Sequence, residues 1–323
     1  MNFEDKLANK IRIAVLSGGW SKEKSVSIKS GKAVLSALDK GKYEIVSFDP
    51  KDDLNILWQQ RHELDLVFNV LHGKYGEDGR IQGLLDVFGI PFVGSGVLSS
   101  AMAMNKRVAK EVYRSVGLRV PKDIILKKEQ AISIGRIKDI LGAPIVIKPV
   151  SEGSSIGISI MDNDSDIVAG IEKAFQFDLE ILLEEYISGR EITCAVLGRS
   201  HLETLPLVEI VPKASHQFFD FDAKYTAGET NEICPAKIDS ELENEASEMA
   251  QNAHLALQCR DWSRTDMIID NDIIYMLETN TIPGMTETSL VPLAAKGNGW
   301  NLGQLLDKMI GTCLAEPEKK RES

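Results

Sequence analysis

The strongest constraint on this chain is a rhythm over residues 11–96. Short β-branched runs at Ile11–Leu16, Tyr43–Phe48 and residues 64–70 alternate with helical patterns, the first an amphipathic stretch reaching Leu38. Strands separated in this way imply a parallel α/β sheet. Turn-forming residues in GIPFVGSG (89–96) close the unit and place a domain boundary near residue 94. Residues 97–116 then read as one long helix with an apolar face.

Beyond residue 144 the pattern becomes mixed α+β. A strand at 144–150 leads into the small residues 151–157. A strand at 158–161, a helix at 165–175 and a strand at 181–187 follow. Strands at 191–197 and 205–211, a polar loop at 213–232 and a helix at 240–257 come next. Strands at 262–269 and 273–278 are joined by Asp270-Asn271-Asp272 as a tight turn. The expectation is α/β and α+β, with units at residues 1–94, 95–187 and 188–323, a length suited to roughly two or three domains.

Composition narrows the function. No apolar run approaches the ~18 residues needed to span a bilayer. The opening MNFEDKLANKIRI lacks a basic stretch followed by an apolar one, so the chain is expected in the cytoplasm. Its four cysteines are far apart and read as free thiols. A net charge of -11 argues against general nucleic-acid binding.

Four places could carry chemistry. Ser17-Gly18-Gly19-Trp20-Ser21-Lys22-Glu23 lies between a strand and a helix, where backbone amides favour an anion, although a Gly-Gly turn at a strand end is more often only a turn. No G-x-G-x-x-G stands there, which disfavours a nicotinamide or flavin enzyme. Residues 72–79, HGKYGEDG, follow a buried-looking strand at the end of the sheet where ligands bind, or form a solvated loop. Lys148 leaves an apolar strand and needs an anion; the small residues after it would let amides approach phosphate oxygens, and the alternative is a hairpin turn. No Walker motif occurs. Finally, Asp266, Glu278 and Asn280 fall on adjacent strands, with Arg264 on the face of Asp266, offering hard oxygens to Mg2+. A solvent-facing strand of alternating charge would look similar.

Taken in order, GGWSKEKSVS (18–27), LHGKYGEDG (71–79), GSGVLSSAMAMNK (94–106), IKPVSEGSSIG (147–157), EEYISGRE (184–191), AKYTAG (223–228), SRTD (263–266) and ETNTIPGMTETSL (278–290) resemble the D-alanine–D-alanine ligases of the ATP-grasp superfamily. The resemblance runs from about Ile11 to Ile310. It implies an N-terminal pre-ATP-grasp domain before a two-part ATP-grasp fold, with ATP held between the central and C-terminal parts beside two Mg2+ (or Mn2+) ions. By matched position, Lys106 and Lys148 would contact phosphates, and Glu152, Gly153, Ser154 and Ser155 would fold over them. Glu184, Glu185, Tyr186 and Ile187 would line the adenine site, Glu191 would bind ribose, and Asp266, Glu278 and Asn280 would hold the metals.

The same matching places Glu23 on the ammonium of the first D-alanine, with Val26 and His72 nearby. Ser154 and Tyr225 would hydrogen-bond with Glu23. Arg264 and the Gly284 amide would meet an oxyanion, and Lys224, Ser289 and Leu290 would surround the second substrate. The implied reaction forms D-alanyl-D-alanine through a D-alanyl phosphate, for peptidoglycan precursors, and the implied assembly is a homodimer. Acceptors such as D-lactate or D-serine are the nearest rivals; Lys224-Tyr225-Thr226 favours the dipeptide. The chain departs from the family pattern with Lys24 and Ser25 where arginine and an acid are common, and with Asn105 for a frequent aspartate, which bears on helix support.

Overall fold

The computed structural model describes residues 10–130, 133–154, 156–212 and 230–315. Strands β1 (Ile11–Leu16), β2 (Tyr43–Phe48), β3 (Leu66–Asn69) and β4 (Phe92–Val93) form a parallel sheet in the order β2-β1-β3-β4, as the alternation predicts. Helices α1 (Lys24–Ala37), α2 (Pro50–Gln60) and α3 (Arg80–Phe88) supply the crossovers. The start of α2 follows from local chemistry. Asp49 accepts the Lys51 N–H at 3.0 Å, and Pro50 occupies the first turn, where its missing N–H costs nothing.

The long helix expected over 97–116 is two helices, α4 (Val97–Met104) and α5 (Lys106–Ser115). Asn105 leaves helical geometry at φ -91°, ψ 99°, and its Oδ1 accepts the Val108 N–H at 3.1 Å. Asparagine caps a helix about as well as aspartate, so this departure from the family pattern preserves the support. The break also lets the Lys106 N–H reach the Val150 carbonyl at 3.0 Å, which sets α5 against the second sheet.

That second sheet is antiparallel, β5 (Asp123–Lys127), β8 (Glu180–Glu185), β6 (Ile145–Pro149) and β7 (Ser159–Met161) in spatial order. Helices α6 (Ile134–Leu141) and α7 (Asp164–Ala174) cover it around Ile137, Ile147, Ile167 and Leu183. The third sheet runs β12 (Thr230–Ile233), β11 (Val208–Pro212), β9 (Arg190–Gly198), β13 (Asp261–Asp270) and β14 (Ile273–Asn280), with β10 (Glu203–Thr204) paired to the end of β9. β12 falls inside the stretch expected to be loop; most of the rest of that stretch lies outside the described residues.

Alternation along β9 decides which helices cover which face. Ile192, Cys194 and Val196 pack with α8 (Ser240–Ala256) and α5, whereas Ala195 and Leu197 join α9 (Leu290–Gly297), α10 (Leu302–Ala315) and the apolar residues Ile11, Ile13 and Val15 of the first sheet. Two sheets thus share one core through α9 and α10. Among the described residues no helix is long and apolar enough to cross a membrane.

A buried polar joint fastens the end of β4 to the start of β13. Asp261 is fully buried, accepts the Gly94 N–H at 2.7 Å and receives Arg199 through both Nε and Nη2. Arg260 donates to the Gly94 carbonyl at 2.7 Å and lies over the Phe92 ring. Removing one member of a buried ion pair leaves the other charge uncompensated. Asp261→Ala is therefore expected to lower unfolding stability by about 3 kcal/mol, measured as a fall in the urea midpoint with an unchanged m-value.

Candidate active site

The antiparallel pair β13–β14 brings four polar side chains to one face. Asp266 stands opposite Glu278 and Arg264 opposite Asn280. Immediately beyond Asp266 the register shifts: Met267 pairs with Met276, and Leu277 has no partner. In a regular strand Met276 and Glu278 would share a face. The bulge turns Met276 into the core beside Met267, both fully buried, and leaves Glu278 beside Asp266.

Asp266 is itself buried and fully engaged. Arg264 reaches both its oxygens, at 2.9 and 2.7 Å, and Thr193 donates at 2.6 Å. Asn280 Nδ2 lies 3.4 Å away. Two opposed carboxylates and an amide oxygen are hard donors suited to Mg2+. Among the described residues no third acidic, His or Cys group joins them. That small set fits a cation held by one or two carboxylates, with phosphates and water completing the shell.

Lys106 opens α5 beside this set. Its ammonium donates to the Glu152 carbonyl at 2.6 Å and stands 3.5 Å from Glu278. One turn further along α5, Lys110 is almost fully buried; it pairs with Glu184, donates to the Pro121 carbonyl at 2.8 Å and lies 3.1 Å from Asp123. Lys148 pairs with the other Glu184 oxygen. Burial works to raise the Glu184 carboxyl, but the two lysines outweigh it and hold it below its ordinary value. Glu185 accepts the Lys122 N–H at 2.8 Å, Tyr186 and Ile187 follow at the strand end, and Glu191 sits near the start of β9.

Glu23 forms a separate acidic centre. It precedes α1, is buried, and accepts the Ser154 hydroxyl from the 151–157 loop. Gly73 and Gly153 border it closely: a Cβ at Gly73 would come within 2.2 Å of Glu23 Oε2, and one at Gly153 within 3.5 Å. Burial, reinforced by Glu77, pushes the Glu23 carboxyl up to about 7 against the opposing effects of Ser154 and His72. The preceding loop is not an anion cradle. The Gly18 N–H donates to Ser27 Oγ at 2.9 Å and the Gly19 N–H to Asp49 at 2.8 Å, so these amides are already satisfied. Gly18, at φ +98°, is required because a Cβ would collide with Asp49.

His72 is buried between Ser30 and Glu77, and Val26 lies buried one turn along α1 from Glu23. Gly284 abuts Ser289, whose Oγ accepts the Thr286 N–H at 3.0 Å; Leu290, buried, begins α9. A narrow cleft is lined by Glu77, Lys106, Glu152, Gly153, Glu278 and Asn280; Gly153 also borders Glu23, and Glu278 stands opposite Asp266. Ser155, Lys224 and Tyr225 lie outside the described residues. Sequence reasoning missed Glu77, Ser30 and Lys110 as members of the site. Only Lys110 carries a periodic signal, four residues after Lys106 on one helix.

A parallel sheet followed by two antiparallel α+β units, with lysines and carboxylates collected between them, is the ATP-grasp architecture. Residues 51–95 match the family model for the D-ala D-ala ligase N-terminus, and residues 112–311 that for the D-ala D-ala ligase C-terminus. The chain is 47% identical over 307 residues to the D-alanine–D-alanine ligase of Syntrophobacter fumaroxidans, covering 95% of this chain and 99% of that one. A D-alanine–D-alanine ligase of Bacillus anthracis solved with ATP superposes with a TM-score of 0.81 at 35% identity, over 94% of this chain and 98% of that one. The VanG D-Ala:D-Ser ligase of Enterococcus faecalis gives 0.81 at 35%, over 94% and 100%. The chain belongs to the D-alanine–D-alanine ligase family.

Glu23 also sets a pH dependence. Its carboxyl rises on folding from an ordinary 4.5 to about 7, so the protonated form favours the folded state. That contribution is complete below 4.5 and is lost as pH climbs through about 7. Between about pH 5 and pH 8 the ligand-free protein should therefore lose up to about 3 kcal/mol more stability than Glu23→Gln, measured by chemical denaturation at the two pH values.

Proposed function

We propose that this chain joins two D-alanines to D-alanyl-D-alanine through a D-alanyl phosphate, converting ATP to ADP and phosphate and supplying peptidoglycan precursors in the cytoplasm. The observation that carries this reading is the cleft. Glu278, Asn280 and Lys106 line it together with Glu77 and Gly153; Asp266 and Arg264 stand opposite Glu278 and Asn280, and the buried Glu23 borders Gly153.

A carboxylate does not acylate an amine near neutral pH, so the first D-alanine must be activated. Glu23 receives its ammonium, which restores a positive partner to a carboxylate that burial disfavours. This selects an amino acid over other acids and leaves the substrate carboxylate to attack the γ-phosphate. Lys106 and Lys148 hold the phosphates; Lys148 exchanges Glu184 for them while Lys110 keeps that carboxylate paired. Asp266, Glu278 and Asn280 would hold two Mg2+ ions, which would offset the charge of the phosphates.

The second D-alanine amine attacks the acyl phosphate. Arg264 and the Gly284 N–H meet the oxyanion that develops, and phosphate departs. The loop of Glu152, Gly153, Ser154 and Ser155 covers the phosphates, and its Ser154–Glu23 bond ties it to the first-substrate end and excludes water. Glu184, Glu185, Tyr186 and Ile187 line adenine, and Glu191 takes ribose. Val26 and His72 border the first D-alanine, Tyr225 hydrogen-bonds with Glu23, and Lys224, Ser289 and Leu290 border the second. We assign residues 1–94, 95–187 and 188–323 as the three domains and a homodimer as the assembly.

Incubation with ATP, Mg2+, D-alanine, D-serine and D-lactate together, followed by mass spectrometry, tests the reaction. D-alanyl-D-alanine with ADP and phosphate is the expected outcome, and absence of any D-alanyl product overturns it. Asp266→Asn and Glu278→Gln should each lower turnover by more than about a hundredfold. Wild-type rates in either variant would remove the metal assignment.

A further inference from the structure

His72 is held at both ring nitrogens by residues that the reaction scheme leaves without a role. Nδ1 lies 3.2 Å from Glu77 Oε1, and Nε2 lies 3.1 Å from Ser30 Oγ. Ser30 is fully buried, and its Oγ also accepts the Met285 N–H at 3.3 Å. Glu77 returns to His72 because the 73–77 turn closes on itself: the Gly76 and Glu77 N–H groups both donate to the Gly73 carbonyl. The side chain of Glu77 is only 14% exposed and forms part of the cleft wall.

Proton accounting gives this chain a direction. A carboxylate accepts, so Nδ1 carries the proton and donates it to Glu77. Ser30 Oγ, which accepts from the Met285 N–H, can either give its own hydrogen to Nε2 or accept one from it, so Glu77 decides the tautomer. The neutral ring is thereby held as the Nδ1–H form, with Ser30 donating to Nε2. Without an acceptor at residue 77 neither the tautomer nor the ring plane is set.

We infer that Glu77 is a positioning residue of the ligase reaction: it fixes the tautomer and orientation of His72, and through Ser30 it links the first-substrate end of the cleft to the backbone at Met285, the residue after Gly284. Glu77 contacts the ring and acts through it. The inference rests on the proposed function for the identity of the substrate, and on the geometry alone for the tautomer.

Nitrogen-15 NMR of histidine-labelled full-length protein tests the geometric part, with the His72 signal assigned by its loss in His72→Gln. The neutral ring should show a protonated Nδ1 in the wild type and in Glu77→Gln, whose amide oxygen still accepts, but not in Glu77→Ala. Steady-state kinetics tests the functional part. Glu77→Ala should raise KM for the first D-alanine by about tenfold or more, as loss of a hydrogen bond to a charged group does, with KM for ATP unchanged and most of the loss recovered in Glu77→Gln.

A wild-type ring protonated at Nε2 alone overturns the inference without any variant. So does an equal rise in both KM values, or a glutamine variant no better than alanine. If the wild type forms no D-alanyl product, the proposed function fails, while the NMR result stands or falls separately.

Discussion

The unpartnered Leu277 is the point on which the site depends. β13 lies between β9 and β14, and its side chains must serve a core on one face and a polar cleft on the other. One extra residue in β14 lets Met276 and Ile274 fill the core while Glu278 and Asn280 face Asp266 and Arg264. Without the extra residue, a strand that buried Met276 would bury Glu278 as well, at the cost of an unpaired charge in the core. Its partner β13 begins with Asp261, which fastens the first sheet, so one register positions both the acidic set and the sheet that presents Glu23 and His72.

On the proposed nucleotide and metal side of the site, buried charge is balanced internally. Asp266 is neutralised by Arg264, and Glu184 by Lys110 and Lys148. In the proposed reaction these partners would exchange: Asp266 would help hold a cation, which would leave Arg264 for an oxyanion, and Lys148 would turn from Glu184 to phosphate. Because each group leaves one partner for another, buried charge is never exposed unpaired, and the desolvation cost has already been met during folding. Lys110 supports this on the nucleotide side, since it is buried against Glu184, Asp123 and the Pro121 carbonyl.

Much of the fold was legible because it rests on short-range patterns. The parallel sheet followed from alternating runs, and the β13–β14 hairpin from Asp270-Asn271-Asp272, whose last two residues do adopt positive φ. The split at Asn105 was hidden because the apolar face continues across it, while the cap that causes it depends on one side chain. The bulge leaves no periodic mark: Leu277 looks like any strand leucine. Among site residues, the acidic set and Arg264 were visible from strand spacing. Glu77 and Ser30 were not, since they lie 47 residues apart and meet only through His72. The 17–23 loop shows the opposite failure, because a strand–glycine–helix pattern does not reveal that Asp49 and Ser27 have already claimed the amides.

That claim on the amides bears on the substrate-binding role proposed for Glu23. A loop with free N–H groups beside a helix start would attract anions, including the substrate carboxylate, and would turn an amino acid the wrong way round. With Gly18 and Gly19 committed to Ser27 and Asp49, the end of the loop offers an acid in a buried setting next to a second acid, Glu77. Such a setting favours a proton or a cation and disfavours an anion. In the proposed reaction an amino acid entering it would be oriented by charge, ammonium toward Glu23 and carboxylate toward Lys106 and Arg264. The polarity of the cleft thus precedes and dictates the direction of the chemistry proposed for it.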